Sequence, residues 1–234
     1  MFQLVKYELR GKLFTLAAIC LTVIAGNLFL MTKINSWQVG ASVFSGFLGS
    51  GAVILISFFS LTLMSDYLYN EQGYLLFTLP QSGVSILISR LITAVIQITL
   101  VALVAFLMFS LLDQGRVMEV LVRQFGPDEI LHSVLMHLWG IISGLTFIYF
   151  CMVAGRVALG GKTAGKIGSF VIFLLLSMTK AGVTAMLADY FPREMEFHSI
   201  IALTMNMGSI VLDVAVFVVL FMATSYLLEH KIDL

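Results

Sequence analysis

The apolar residues of this chain gather into six stretches, each long enough to cross a bilayer, joined by short polar connectors. Few folds accept that arrangement. Crossing about 30 Å of hydrocarbon takes about 20 predominantly apolar residues as a helix. Inside lipid only helices and closed barrels satisfy their own backbone. The stretches fall near residues 13–31, 43–64, 84–112, 134–153, 167–187 and 207–228 of a 234-residue chain, which leaves little for a soluble catalytic domain. Composition agrees: 11% of residues are charged, where a soluble domain carries about 25%, and the mean hydropathy is +1.04. The expected fold is all-α and integral to the membrane, with six transmembrane helices in a single transmembrane domain, residues 1–234.

Basic residues set the expected orientation, because cytoplasmic connectors carry the excess of Lys and Arg. With the N-terminus in the cytoplasm, the inner segments hold Lys6, Arg10, Lys12, Arg90, Arg156, Lys162, Lys166 and Lys231. The outer segments then hold Lys33, Arg116, Arg123 and Arg193. That bias predicts a multi-pass protein of the cell membrane with both termini cytoplasmic. The first stretch is longer than a signal-peptide core and lacks a small-x-small cleavage site, so it reads as an uncleaved anchor. The net charge of zero says nothing about partners, and no nucleic-acid partner is expected. Cys20 and Cys151 both fall within spans and read as small buried hydrophobes.

The connectors carry the remaining information. Phe2, Val5, Leu9 and Leu13 recur at helical spacing among Gln3, Lys6, Arg10 and Lys12. This predicts an N-terminal amphipathic helix lying on the membrane surface; a charged topogenic flank is the plainer reading. Residues 65–90 mix Asp66 and Glu71 with Tyr67, Tyr69, Tyr74 and Phe77. Residues 66–72 can form a short helix ending at Gly73, and Pro80 marks a further boundary. The aromatics suit either a docking surface or an interfacial loop. Residues 116–125 look amphipathic and Gly126-Pro127 breaks them. Residues 199–205 are apolar ahead of Asn206 and Gly208, which predicts a re-entrant helical segment before the sixth span.

Few residues look chemical. Residues 155–168 read GRVALGGKTAGKIG. The phosphate-binding loop requires G-x-x-x-x-G-K-[ST] after a strand. Here Arg156 stands where the leading glycine belongs, so a tight basic turn is expected instead. His132 and His137 are five apart and face different sides of a helix. Two ionisable residues sit well inside spans, Lys180 in the fifth and Asp213 in the sixth. Charge inside a membrane is costly and marks function by default. Both lie about 10 Å from the ends of adjacent spans, so they can pair across antiparallel helices, either as a packing device or along a wet pathway. Small residues recur every four positions at Ser42, Gly46 and Ser50, and at Gly140 and Gly144, a pattern that permits close helix packing within the chain or in a homodimer.

Two stretches, LVKYELRGKL at the N-terminus and YNEQGYLLFTLPQSGVSILISRLI after the second span, resemble the membrane subunits of ABC exporters of the ABC-2 type. Glu71, Gly73, Tyr74, Leu79 and Pro80, followed by Ser89 and Arg90, carry the resemblance. It implies a permease without an ATPase of its own. Two copies, identical or similar, would form the pathway within membrane lipids, and two ABC ATPase subunits would bind beneath them. No cofactor is expected in this chain, since ATP and Mg would sit on the ATPases. The segment between spans two and three would be the coupling helix, with Asp66, Tyr67, Asn70, Glu71, Gly73 and Tyr74 meeting the ATPase. The outer connectors are modest, a departure from lipid-linked polysaccharide exporters of this superfamily, and the compact size with the E-x-G-Y stretch leans toward exporters of amphipathic peptides, toxins or antimicrobial compounds. A membrane enzyme acting on lipid or peptide is a rival, for which only Lys180 and Asp213 offer clustered polar groups. A non-transporting sensor or assembly protein is another.

Overall fold

The computed structural model describes residues 2–34, 36–69, 82–160, 162–190, 194–196 and 204–230. Among them are seven helices: α1 (Phe2–Thr32), α2 (Gln38–Tyr69), α3 (Gly83–Leu112), α4 (Arg116–Gln124), α5 (Pro127–Leu159), α6 (Lys162–Tyr190) and α7 (Met207–His230). One two-stranded antiparallel ribbon pairs β1 (Glu194–Glu196) with β2 (Thr204–Asn206), Met195 opposite Met205. All helices but α4 are long and apolar enough to cross a membrane, which is the architecture of a multi-pass membrane protein. At 33 residues, α5 is about 50 Å long. It therefore tilts or projects beyond the hydrocarbon.

Several helix ends differ from the sequence expectation, each for a local reason. The expected surface helix and first span are one continuous helix, α1. Nothing at residues 11–13 stops it: there is no proline, and Gly11 in a helix interior costs only about 1 kcal/mol. Its buried positions Val5, Leu16, Val23, Asn27 and Leu30 form one face across the expected junction. Likewise α2 continues past Met64 to Tyr69, so Asp66 and Tyr67 belong to its last turns rather than to a separate helix. The segment at residues 116–125 is helical as α4, with Glu119 and Arg123 paired at 2.7 Å. Between α3 and α4, Gln114 (φ 57°) and Gly115 (φ 76°) take left-handed backbone, which ends α3. Helix α5 starts at Pro127, seven residues before the expected span, with Asp128 and Glu129 in its first turn. Proline lacks an N–H that the first turn would leave unsatisfied, and acids there complement the helix dipole. Of the expected re-entrant segment, Thr204 and Met205 are extended, in strand β2; residues 199–203 lie outside the described residues.

The chain divides into two compact units. The first comprises Met1–Thr62 and Ile92–Pro127, the second Leu63–Leu91 and Asp128–Leu234. Polar side chains tie the helices of the first unit together. Ser45 Oγ donates to Asn27 Oδ1 at 2.5 Å, joining α2 to α1. Ser60 Oγ lies 3.3 Å from Gln97 Oε1, joining α2 to α3. Thr93 Oγ1 donates to Glu8 Oε2 at 3.2 Å, joining α3 to α1. In lipid each such bond is worth about 0.6–2 kcal/mol. The buried small residues in the first half of α2 are Ala41, Ser45, Gly49 and Ala52. The expected ridge is one position out of register: Gly46 and Ser50 are exposed. A Cβ at Gly49 would come within 3.2 Å of Ala105 Cβ, so α2 and α3 approach closely there.

In the second unit, glycines set the packing of α5 on α6. A Cβ on Gly155 would lie 2.5 Å from Ser169 N and 2.8 Å from Gly165 O. Gly160, with φ 66°, ends α5 as a left-handed cap, its N–H donating to Arg156 O at 3.0 Å. In GRVALGGKTAGKIG, Gly155 thus serves a helix crossing and Gly160 a turn. A helix, not a strand, precedes the Gly-Lys-Thr sequence. Neither cysteine forms a disulfide.

Candidate functional site

Two constellations in the second unit carry the chemistry of the described residues. The first is the seat of the end of α2. Tyr69 is buried, 5% exposed, and its hydroxyl reaches both Ser169 Oγ (3.3 Å) on α6 and Met152 O (3.4 Å) on α5. Its ring lies against Gly165, where a Cβ would come within 2.9 Å of Cε1. Arg156 and Lys166 each stand 5.6 Å from the ring centroid. A cation over an aromatic face contributes about 0.5–2 kcal/mol, more when shielded from water. Two residues earlier, Tyr67 faces Arg90 of α3 at 5.4 Å, and both are buried. The start of α3 is also pinned: a Cβ on Gly83 would lie 2.5 Å from Ser225 O of α7. Both ends of the helices that flank residues 70–81 are therefore fastened to α5, α6 or α7.

Of the expected coupling residues, Asp66 is half-buried and Tyr67 buried in α2. Asn70, Glu71, Gly73 and Tyr74 lie outside the described residues. Tyr69 was not singled out as a site by sequence. The signal that could have found it is the pairing of a tyrosine at a helix end with a glycine-rich basic turn elsewhere in the chain.

The second constellation is an ion pair in a cavity. Lys180 Nζ of α6 lies 2.8 Å from Asp213 Oδ1 of α7. The pair is not sealed, since the side chains are 38% and 28% exposed. It borders a cavity of about 850 Å³ between α5, α6 and α7. Helix α5 contributes Gly140, Ser143, Gly144, Phe147 and Ile148; α6 adds Phe173, Ser177 and Thr184; α7 adds Phe217 and Leu220. The expected small-residue pair Gly140 and Gly144 thus opens onto this space, and a Cβ on either would meet nothing within 4 Å. Aromatic contacts brace the walls: Phe147 meets Phe173 edge-on at 5.7 Å, and Trp139 lies 5.0 Å from Phe217. Charge facing both a partner and open space can also engage a ligand, because a lysine ammonium has three donors and a carboxylate several acceptor sites.

No group of three or more His, Cys, Asp or Glu among the described residues is placed to hold a metal. No protein-family model, curated protein or solved structure matches the chain.

Proposed function

We propose that this chain is the permease subunit of an ATP-driven exporter of the ABC-2 type, acting as a dimer with two separate ATPase subunits. The observation that carries the reading is the fastening of both helices that border residues 70–81. Those residues hold the stretch that resembles the family's coupling element. An ATPase pushing on that stretch would move α2 through Tyr69 and α3 through Arg90 and Gly83, and with them α5, α6 and α7. Packed helices respond to such a push as rigid bodies with discrete arrangements, which is what alternating access requires. In this reading the termini face the cytoplasm, and ATP and Mg sit on the partner. The cargo is an amphipathic peptide, toxin or antimicrobial compound leaving the cytoplasm or inner leaflet.

Gentle purification from native membranes, followed by identification of the bound proteins and the mass of the complex, tests this. The expected result is a stoichiometric ABC-type ATPase in a two-plus-two assembly. A chain that purifies alone in several mild detergents overturns the proposal and favours the membrane-enzyme or sensor reading.

A further inference from the structure

The cavity beside Lys180 and Asp213 has a polar end and an apolar end. Lys180, Thr184, Asp213 and Ser143 lie at the level nearer the ribbon that links α6 to α7. Phe173 is seven residues from Lys180 along α6, and Leu220 seven residues from Asp213 along α7. Seven residues of helix span about 10 Å. The cavity therefore runs about that far from an ion pair to a foot of Phe147, Phe173 and Leu220. The ion pair is open on both charges, and its single contact leaves the ammonium with further donors and the carboxylate with further acceptors.

We propose that the cavity binds an amphiphile dissolved in the bilayer whose polar head is zwitterionic. The anionic group of the head meets Lys180, its ammonium meets Asp213, and its apolar chain lies toward Phe147 and Phe173. The charges of Lys180 and Asp213 cancel each other, so a singly charged head would bring a net charge in among the apolar walls, which is costly. A zwitterion satisfies both. The location within a membrane-spanning helix bundle means that the ligand arrives through lipid. The inference does not rest on the exporter reading, and a chain without an ATPase partner would bind in the same way.

Trp139 supplies the readout, because it touches Phe217 on the cavity wall and the chain has one other tryptophan, Trp37. The full chain carrying Trp37→Phe is placed in nanodiscs of purely anionic phosphatidylglycerol, so that no bulk lipid competes. Three probes with the same dibromostearoyl chain are titrated: a lysophosphoethanolamine, the free fatty acid and an alkylammonium. The expected result is saturable quenching by the zwitterion, with half-saturation about tenfold lower than for either ion, a difference of one charged hydrogen bond. Adding Lys180→Met with Asp213→Leu abolishes that preference. Gly144→Leu, which keeps the ion pair and fills the space, raises the half-saturation for the zwitterion and decides the matter should the double variant misfold. Equal quenching by the three probes, or an unchanged zwitterion titration in either variant, overturns the proposal.

Discussion

Lys180 stands within a helix long and apolar enough to cross a membrane, and the carboxylate of Asp213 stands 2.8 Å away. The two charges are interdependent, so removing one leaves the other without its partner. A lone Lys or Asp mid-span costs about 2.5–3.5 kcal/mol on insertion scales, and the open cavity lowers that figure. Asp213→Asn should destabilise the protein by about 1–3 kcal/mol, read as a fall in Tm in mild detergent. Lys180→Met with Asp213→Leu should stay within about 1 kcal/mol of the parent, because no charge is left unpaired. A single variant as stable as the double would dissolve the pairing. The positions of this pair were legible in sequence, since ionisable residues stand out within apolar spans. Asn27 and Gln97 were equally intramembrane and polar, and both are buried in interhelical hydrogen bonds. Their role was not legible because their partners, Ser45 and Ser60, are residues that any apolar helix tolerates. Gln97→Leu should therefore cost about 1 kcal/mol, measurable in the same unfolding assay.

Helices were easier to read than their ends. Apolar length located the six long helices, but it located only the part within lipid. Pro127 with Asp128 and Glu129 is a helix start in plain chemical terms, but it lies seven residues ahead of the point where the chain turns apolar. Registers were harder still: two small-residue stripes on α2, displaced by one residue, look alike in sequence, and only the neighbouring helices decide which is buried. The crossing of α5 on α6 is the sharpest constraint at this scale. Gly155→Ala places a methyl group 2.5 Å from Ser169 N and 2.8 Å from Gly165 O, both parts of the α6 backbone region and unable to swing away. Overpacking of this kind costs about 1–3 kcal/mol. Gly140→Ala, with nothing within 4 Å of the added carbon, should stabilise by up to about 1 kcal/mol, since alanine favours helix over glycine. Equal unfolding temperatures for the two variants would refute the close crossing. The seat of Tyr69 divides in a similar way. Its hydroxyl contacts are long, at 3.3 and 3.4 Å, so Tyr69→Phe should cost under about 1 kcal/mol. Tyr69→Ala removes the ring that Arg156 and Lys166 approach and should cost about 3–5 kcal/mol.

At the scale of the whole molecule, six helices among the described residues are long and apolar enough to cross a membrane; six crossings would return the chain to the side on which it starts, and the excess of basic residues predicts that this side is the cytoplasm. The prediction can be tested within the second unit, where α5 leads from Asp128 toward the turn before α6. In a background with Cys20 and Cys151 replaced, a cysteine at Asp128 should react with an impermeant thiol reagent added to intact cells. A cysteine at Lys162 should react only after the membrane is opened. The reverse pattern would turn the protein over and place residues 70–81 outside, beyond the reach of any cytoplasmic ATPase. Labelling of both sites from one side would mean that α5 does not cross at all. The exporter reading survives only the first outcome, because its coupling stretch must face the compartment that holds ATP. With that orientation in hand, Glu71→Ala with Tyr74→Ala becomes informative. A permease that still folds and still pairs with its ATPase, but no longer stimulates hydrolysis when cargo is supplied, is the expected result. Unaltered stimulation would move the coupling role away from these residues, and the fastened ends of α2 and α3 would then hold the bundle together without transmitting force.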